Sequence, residues 1–189
     1  DQNFLLSQKT THKIQNLKQP ILTISMGGSD PDGLTFIIYR AISHLPDIKI
    51  HIIIGPFFKK QNQLKNEVKH NKNTRVIVNS KSIWNEFSKS DLVICNAGST
   101  LFELAILRLP TICISVVDHQ IPYAKFFQSK GSTKYLGFKN IINEKKIFST
   151  VLDLLKNEPK RKTMFTACKS IIDGKGLVRV SSIIEKNLV

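Results

Sequence analysis

Short apolar runs rich in β-branched residues alternate along this chain with longer segments whose apolar positions repeat at helical spacing. That alternation constrains the fold more than any other feature. Parallel strands need a crossover long enough to hold a helix, so a strand, helix, strand succession specifies a parallel sheet built from βαβ units. Strands are predicted at Ile21 to Met26, Lys49 to Ile54, Arg75 to Asn79, Asp91 to Cys95, Thr111 to Val116 and, more weakly, Lys134 to Leu136. Helices fit Leu34 to Leu45, Lys59 to Lys69, Ser82 to Ser88, Thr100 to Arg108 and Pro122 to Lys130. From about Asn143 onward the pattern is helical only, at Glu144 to Lys156, Pro159 to Ile172 and Leu177 to Asn187. The expected product is an open, doubly wound α/β domain over 20–189. Residues 1–19 are polar and read as a lead-in or inter-domain linker with a short helix near Phe4 to Ile14.

Composition excludes some classes and leaves others open. With 41% hydrophobic and 22% charged residues, the 189-residue chain has the balance of a folded globular protein. Its 28 Lys+Arg against 14 Asp+Glu give a net charge of +14, which favours anionic partners such as nucleotides, nucleic acid or lipid headgroups. The basic residues are scattered, as on a lysine-rich solvated surface; a nucleic-acid-binding module would need them clustered on one face. Cys95, Cys113 and Cys168 have no metal-ligand spacing and read as buried thiols of a reducing cytoplasm. The apolar runs are far too short to span a bilayer, and the first residues do not read as a secretory n-region followed by an h-region. His12, His44, His51 and His70 stand at no catalytic spacing from a Ser, Cys or carboxylate, and Trp84 and the phenylalanines form no base-stacking stripe.

Two loops combine glycine with hydroxyl residues directly after a strand. One is Gly27-Gly28-Ser29-Asp30, the other Asn96-Ala97-Gly98-Ser99-Thr100. In an open sheet of order 3-2-1-4-5-6 strands one and four flank the reversal of strand order, where ligands bind beyond the carboxyl ends of the strands. Both loops then face one crevice. The second leads straight into a helix, whose unpaired N–H groups suit a diphosphate; Gly98 admits close backbone approach, and Ser99 and Thr100 add hydroxyl donors. Neither a Gly-Lys-[Ser/Thr] nor a GxGxxG pattern is present, so the loop is neither a P-loop nor the usual dinucleotide fingerprint. Glu103 stands one turn on. Its carboxylate either accepts the two hydroxyls of a ribose or closes a Thr100-x-x-Glu103 capping box. Asp118-His119-Gln120 after strand five either meets sugar hydroxyls or forms an ordinary polar turn.

Taken in order, Ile24 to Pro31, Asp91 to Ala105, Leu109-Pro110-Thr111, Asp118-His119-Gln120 and Asp173-Gly174-Lys175-Gly176 resemble the C-terminal half of the UDP-sugar hydrolase family of pseudaminic acid biosynthesis. More distantly, the chain is similar to the donor-binding half of GT-B glycosyltransferases. The resemblance covers about residues 20 to 185. It implies a Rossmann-like, three-layer domain with a six-stranded parallel sheet that binds a UDP-sugar. Gly27, Gly28, Ser29, Asn96, Ala97, Gly98, Ser99, Thr100, Glu103, Asp118, His119 and Gln120 are then the substrate-binding set. Uracil would be read by backbone near Asn79 to Ile83. In that family water breaks the bond between sugar C1 and the UDP oxygen without metal or other cofactor, and a donor-binding transferase half is the alternative. The family's G-x-G-H-x-x-R stretch is absent, so the resemblance implies no catalytic residue here and an N-terminal catalytic domain as partner. Arg108 stands where relatives close a helix with glycine, a choice that costs about 1 kcal/mol if the position is left-handed.

Overall fold

The computed structural model describes residues 19–187. The segment expected to be helical near Phe4 to Ile14 lies outside them. Strands β1 (Ile21–Ser25), β2 (Lys49–Ile54), β3 (Thr74–Val78), β4 (Leu92–Asn96), β5 (Thr111–Ser115) and β6 (Thr133–Phe138) form one sheet of order β3-β2-β1-β4-β5-β6. Every neighbouring pair is parallel. The chain starts in the middle of the sheet, steps outward twice, then returns to lay β4 on the open side of β1. Their crossovers therefore leave in opposite directions, and a gap opens at their carboxyl ends.

Helices α1 (Leu34–Ile42), α2 (Gln61–Val68), α3 (Ile83–Phe87), α4 (Thr100–Ile106) and α5 (Ile121–Ser129) make the crossovers, and α6 (Glu144–Lys156), α7 (Glu158–Cys168) and α8 (Gly176–Asn187) follow β6. Predicted and observed elements correspond throughout the described residues. The weak sixth strand is longer than its apolar stretch because Gly137, at φ 116°, lets it continue past a register shift to Phe138. The helix expected to reach Ile172 stops at Cys168.

Strand alternation distributes the core between two faces. Leu22 and Ile24, Ile50 and Ile52, Leu92 and Ile94, and Ile112 and Ile114 pack with Ile38 and Ile42 of α1 and with Ile147 and Val151 of α6. Between them, Val93, Cys95 and Cys113 point the other way onto Leu101 and Leu104 of α4 and onto Ala124 and Phe127 of α5. All three cysteines are buried and free, and burial pushes the Cys113 and Cys168 thiols up to about 12. Two polar devices hold the frame. The Asp91 carboxylate accepts the Ile21 N–H at 2.8 Å, fixing the start of β1 beside β4. Arg161, only 2% exposed, donates to the Leu154 and Leu155 carbonyls at 2.6 Å each and so satisfies the carboxyl end of α6. No described helix is long and apolar enough to cross a membrane.

Candidate functional site

The loop after β1 carries little side chain at its apex. Gly27 has φ 90°, and a Cβ there would lie 3.3 Å from Asn96 Nδ2. Asp30 is turned inward: its carboxylate accepts the Leu34 N–H at 3.0 Å and the Thr35 N–H at 2.8 Å, capping α1 from a left-handed backbone at φ 40°. Behind Gly28 runs a third small-residue loop, Gly55-Pro56. A Cβ on Gly55 would stand 2.5 Å from Gly28 Cα, and the Phe57 N–H donates to the Gly28 carbonyl at 3.2 Å. Two main chains thus lie directly against each other, which only glycine at position 55 permits.

Across the gap, the Asn96 side chain stands between the two glycine loops, its Nδ2 3.6 Å from a Cβ position on Gly98. The N–H groups of Gly98, Ser99 and Thr100 have no acceptor among the described residues, whereas those of Leu101 and Phe102 already bond to Gly98 and Ser99 carbonyls. Ser99 takes the N-cap position of α4 in helical conformation and makes no side-chain cap. The capping box is therefore not formed. The Glu103 carboxylate faces the gap without a donor among the described residues, and partial burial raises its pKa above the ordinary glutamate value.

These groups line one crevice of about 660 Å³, a volume suited to a nucleotide-sized ligand. Of the expected site residues, Gly27, Gly28, Asn96, Gly98, Ser99, Thr100, Glu103 and Gln120 border it. Ser29, Ala97, Asp118 and His119 do not. Ala97 is fully buried in the α4 and α5 face, and Ser29, Asp118 and His119 point to solvent. Asp118–Gln120 forms a single 3-10 turn, from which only Gln120 turns inward. Its Oε1 accepts the Val116 N–H at 2.9 Å, which leaves Nε2 toward Gly98, 3.6 Å from a Cβ position there. Asn79, left-handed at φ 47°, lies with Ser80 and Ile83 along the wall on the β3 side. Ser25, Ile53, Ile54, Gly55 and Pro56 complete the lining and were not expected. Gly-Pro directly after β2 repeats the small-residue signal of the other loops and would have pointed to them. His51 is buried away from the crevice on β2, and burial and nearby Arg75 lower its pKa.

The fold matches that of the C-terminal domain of GT-B glycosyltransferases. The crystal structure of Acinetobacter baumannii MurG superposes with a TM-score of 0.78 at 20% identity, over 96% of this chain and 55% of that one. The S. aureus MnaA-UDP co-structure superposes with a TM-score of 0.74 at 16% identity, over 95% of this chain and 48% of its own. The chain belongs to the glycosyltransferase family 28 C-terminal domain family, which it matches over residues 23–176. It is 24% identical over 167 residues to the spore coat polysaccharide biosynthesis protein SpsG of Bacillus subtilis, covering 87% of this chain and 49% of SpsG. It is also 34% identical over 90 residues to the UDP-N-acetylglucosamine--N-acetylmuramyl-(pentapeptide) pyrophosphoryl-undecaprenol N-acetylglucosamine transferase of Syntrophotalea carbinolica, covering 45% of this chain and 25% of that transferase. The chain thus spans half or less of the length of these curated relatives. The hydrolase resemblance draws nothing from these matches, which favour its transferase alternative.

Proposed function

We propose that this chain is the nucleotide-sugar donor half of a longer glycosyltransferase acting in surface polysaccharide synthesis, with UDP as the nucleotide. One observation carries the reading: an unpaired, half-buried carboxylate on Glu103 shares a crevice with the free N–H groups of Gly98, Ser99 and Thr100. The diphosphate lies against these N–H groups and the Gly27-Gly28 loop, Glu103 accepts the ribose hydroxyls, and uracil rests by Asn79 to Ile83. Gln120, with its amide held by Val116, donates to the hexose. In transfer, the bond from sugar C1 to the UDP oxygen breaks, an acceptor oxygen bonds to C1 and loses its proton, and UDP leaves with the bonding electron pair. The N-terminal half supplies the acceptor site. Membership of a glycosyltransferase domain family and the likeness to SpsG support this reading.

Titration calorimetry with UDP tests it: saturable heat is expected, and no heat with UDP overturns it. The second reading is the hydrolysis of a UDP-sugar in nonulosonic acid synthesis, for which the Asp91 to Ala105 motif resemblance speaks. A longer protein containing both halves separates the two, since hydrolysis releases UDP without an acceptor and transfer requires one.

A further inference from the structure

Thr23 and Ser25 of β1 stand in register with Val93 and Cys95 of β4 and share their face of the sheet, toward α4. Their hydroxyls differ in what they meet. Thr23 Oγ1 lies 2.6 Å from Ser90 Oγ and is satisfied inside the protein. Ser25, only 4% exposed, lines the crevice, and its Oγ has no hydrogen-bond partner among the described residues. A hydroxyl left unpaired in apolar surroundings costs free energy, and Ile53 and Ile83 supply such surroundings along the same lining. The Ser115 hydroxyl on β5 is also buried without a partner, but it does not border the crevice. Ser25 therefore offers a crevice ligand a nearly buried O–H that the fold does not use.

Glu103 converges on the same place. Burial, then Cys113 and the Glu103 carboxylate, push the Cys95 thiol well above its ordinary pKa, which puts Glu103 within electrostatic reach of the side chain beside Ser25. An ionised carboxylate only accepts hydrogen bonds. A ribose hydroxyl that donates its proton to Glu103 still carries lone pairs on its oxygen, and these call for a donor. We propose that Ser25 Oγ donates to a ribose hydroxyl held by Glu103, so that the sugar is read by an acceptor and a donor together and a deoxyribonucleotide is bound less well. The inference rests on the donor-domain reading and adds to it a second residue that selects the ribonucleotide.

Titration calorimetry of the whole chain with UDP, 2′-deoxy-UDP and 3′-deoxy-UDP tests it, with thermal melts verifying that each variant folds. Ser25→Ala is expected to weaken UDP binding by about three- to tenfold, the loss of one hydrogen bond to a neutral group. The deoxy analogue that lacks the hydroxyl met by Ser25 should bind this variant and the parent within about twofold of each other, because the partner atom is already gone. Ser115→Ala, which deletes a buried hydroxyl outside the crevice, should leave all three ligands within about twofold of the parent. Equal weakening of all three ligands by Ser25→Ala, unchanged UDP affinity in that variant, or a matching loss in Ser115→Ala overturns the role of Ser25 while leaving UDP binding by the crevice intact. No heat from the parent with UDP instead removes the donor-domain reading, and the role of Ser25 falls with it.

Discussion

Gly55 lies against Gly28 so closely that a Cβ on Gly55 would come within 2.5 Å of Gly28 Cα and 2.7 Å of its carbonyl oxygen. Both contacts are with main chain, which cannot rotate aside. Gly55→Ala must displace one loop from the other. A loss of about 1–3 kcal/mol in urea unfolding is expected, with weaker UDP binding because the Gly27-Gly28 turn moves. An alanine variant as stable as the parent would show that the two loops are not braced together.

Glu103 is held above its usual pKa by burial, so the folded state binds its proton more tightly than the unfolded chain does. The stability this gives is complete below the unfolded pKa and is lost as pH rises through the folded one. At neutral pH Glu103→Gln should therefore melt above the parent, the two converging below the carboxylate range. On the donor-domain reading the same variant binds UDP about tenfold more weakly, since hydrogen bonds to a charged acceptor contribute about 1.5–3 kcal/mol. Calorimetry and thermal melts across pH measure both. An unchanged UDP affinity removes Glu103 from the ribose.

Two nearby aspartates should behave differently. Asp30, 6% exposed, caps two N–H groups of α1. Asp30→Ala is expected to cost about 1–2 kcal/mol. Asp32 pairs with Lys139 at 2.7 Å, but at 34% and 29% side-chain exposure. Asp32→Ala should cost under about 1 kcal/mol. Denaturant midpoints compare them, and equal losses would contradict the capping assignment.

Arg108 occupies the left-handed region at φ 57° after α4. Arg108→Gly relieves that conformation and should raise Tm by about 2–4 °C if the relief approaches 1 kcal/mol. Losing the guanidinium over Phe165, at 5.8 Å, works against the gain. Arg108→Ala loses the same contact without relieving the backbone, so a glycine variant no more stable than the alanine variant refutes strain at this position.

The sheet was legible because buried parallel strands are mostly apolar and glycine or proline punctuates nearly every crossover; the strand expected at Lys49 to Ile54 has the observed bounds. The crevice was legible where small residues follow a strand, at Gly27 and Gly98. It was less so where the ligand wall is ordinary chain: Ser25 reads as strand and Gly55 as a turn, and only their adjacency across the sheet brings them to one place. Asp118, His119 and Gln120 are indistinguishable as a tripeptide. A single 3-10 turn sends the third inward and the other two to water. The Thr100-x-x-Glu103 pattern fits a cap and a ligand group equally, and the choice falls to Ser99, whose position at the helix start leaves Thr100 inside α4.

Where Gly28 and Gly55 meet, the crevice floor is peptide backbone, and a peptide backbone is common to every amino acid. Substitution there can obstruct the floor but cannot give it new chemistry. Variation among relatives that recognise different sugars should therefore concentrate on the rim, at positions such as Gln120, while the floor keeps its shape.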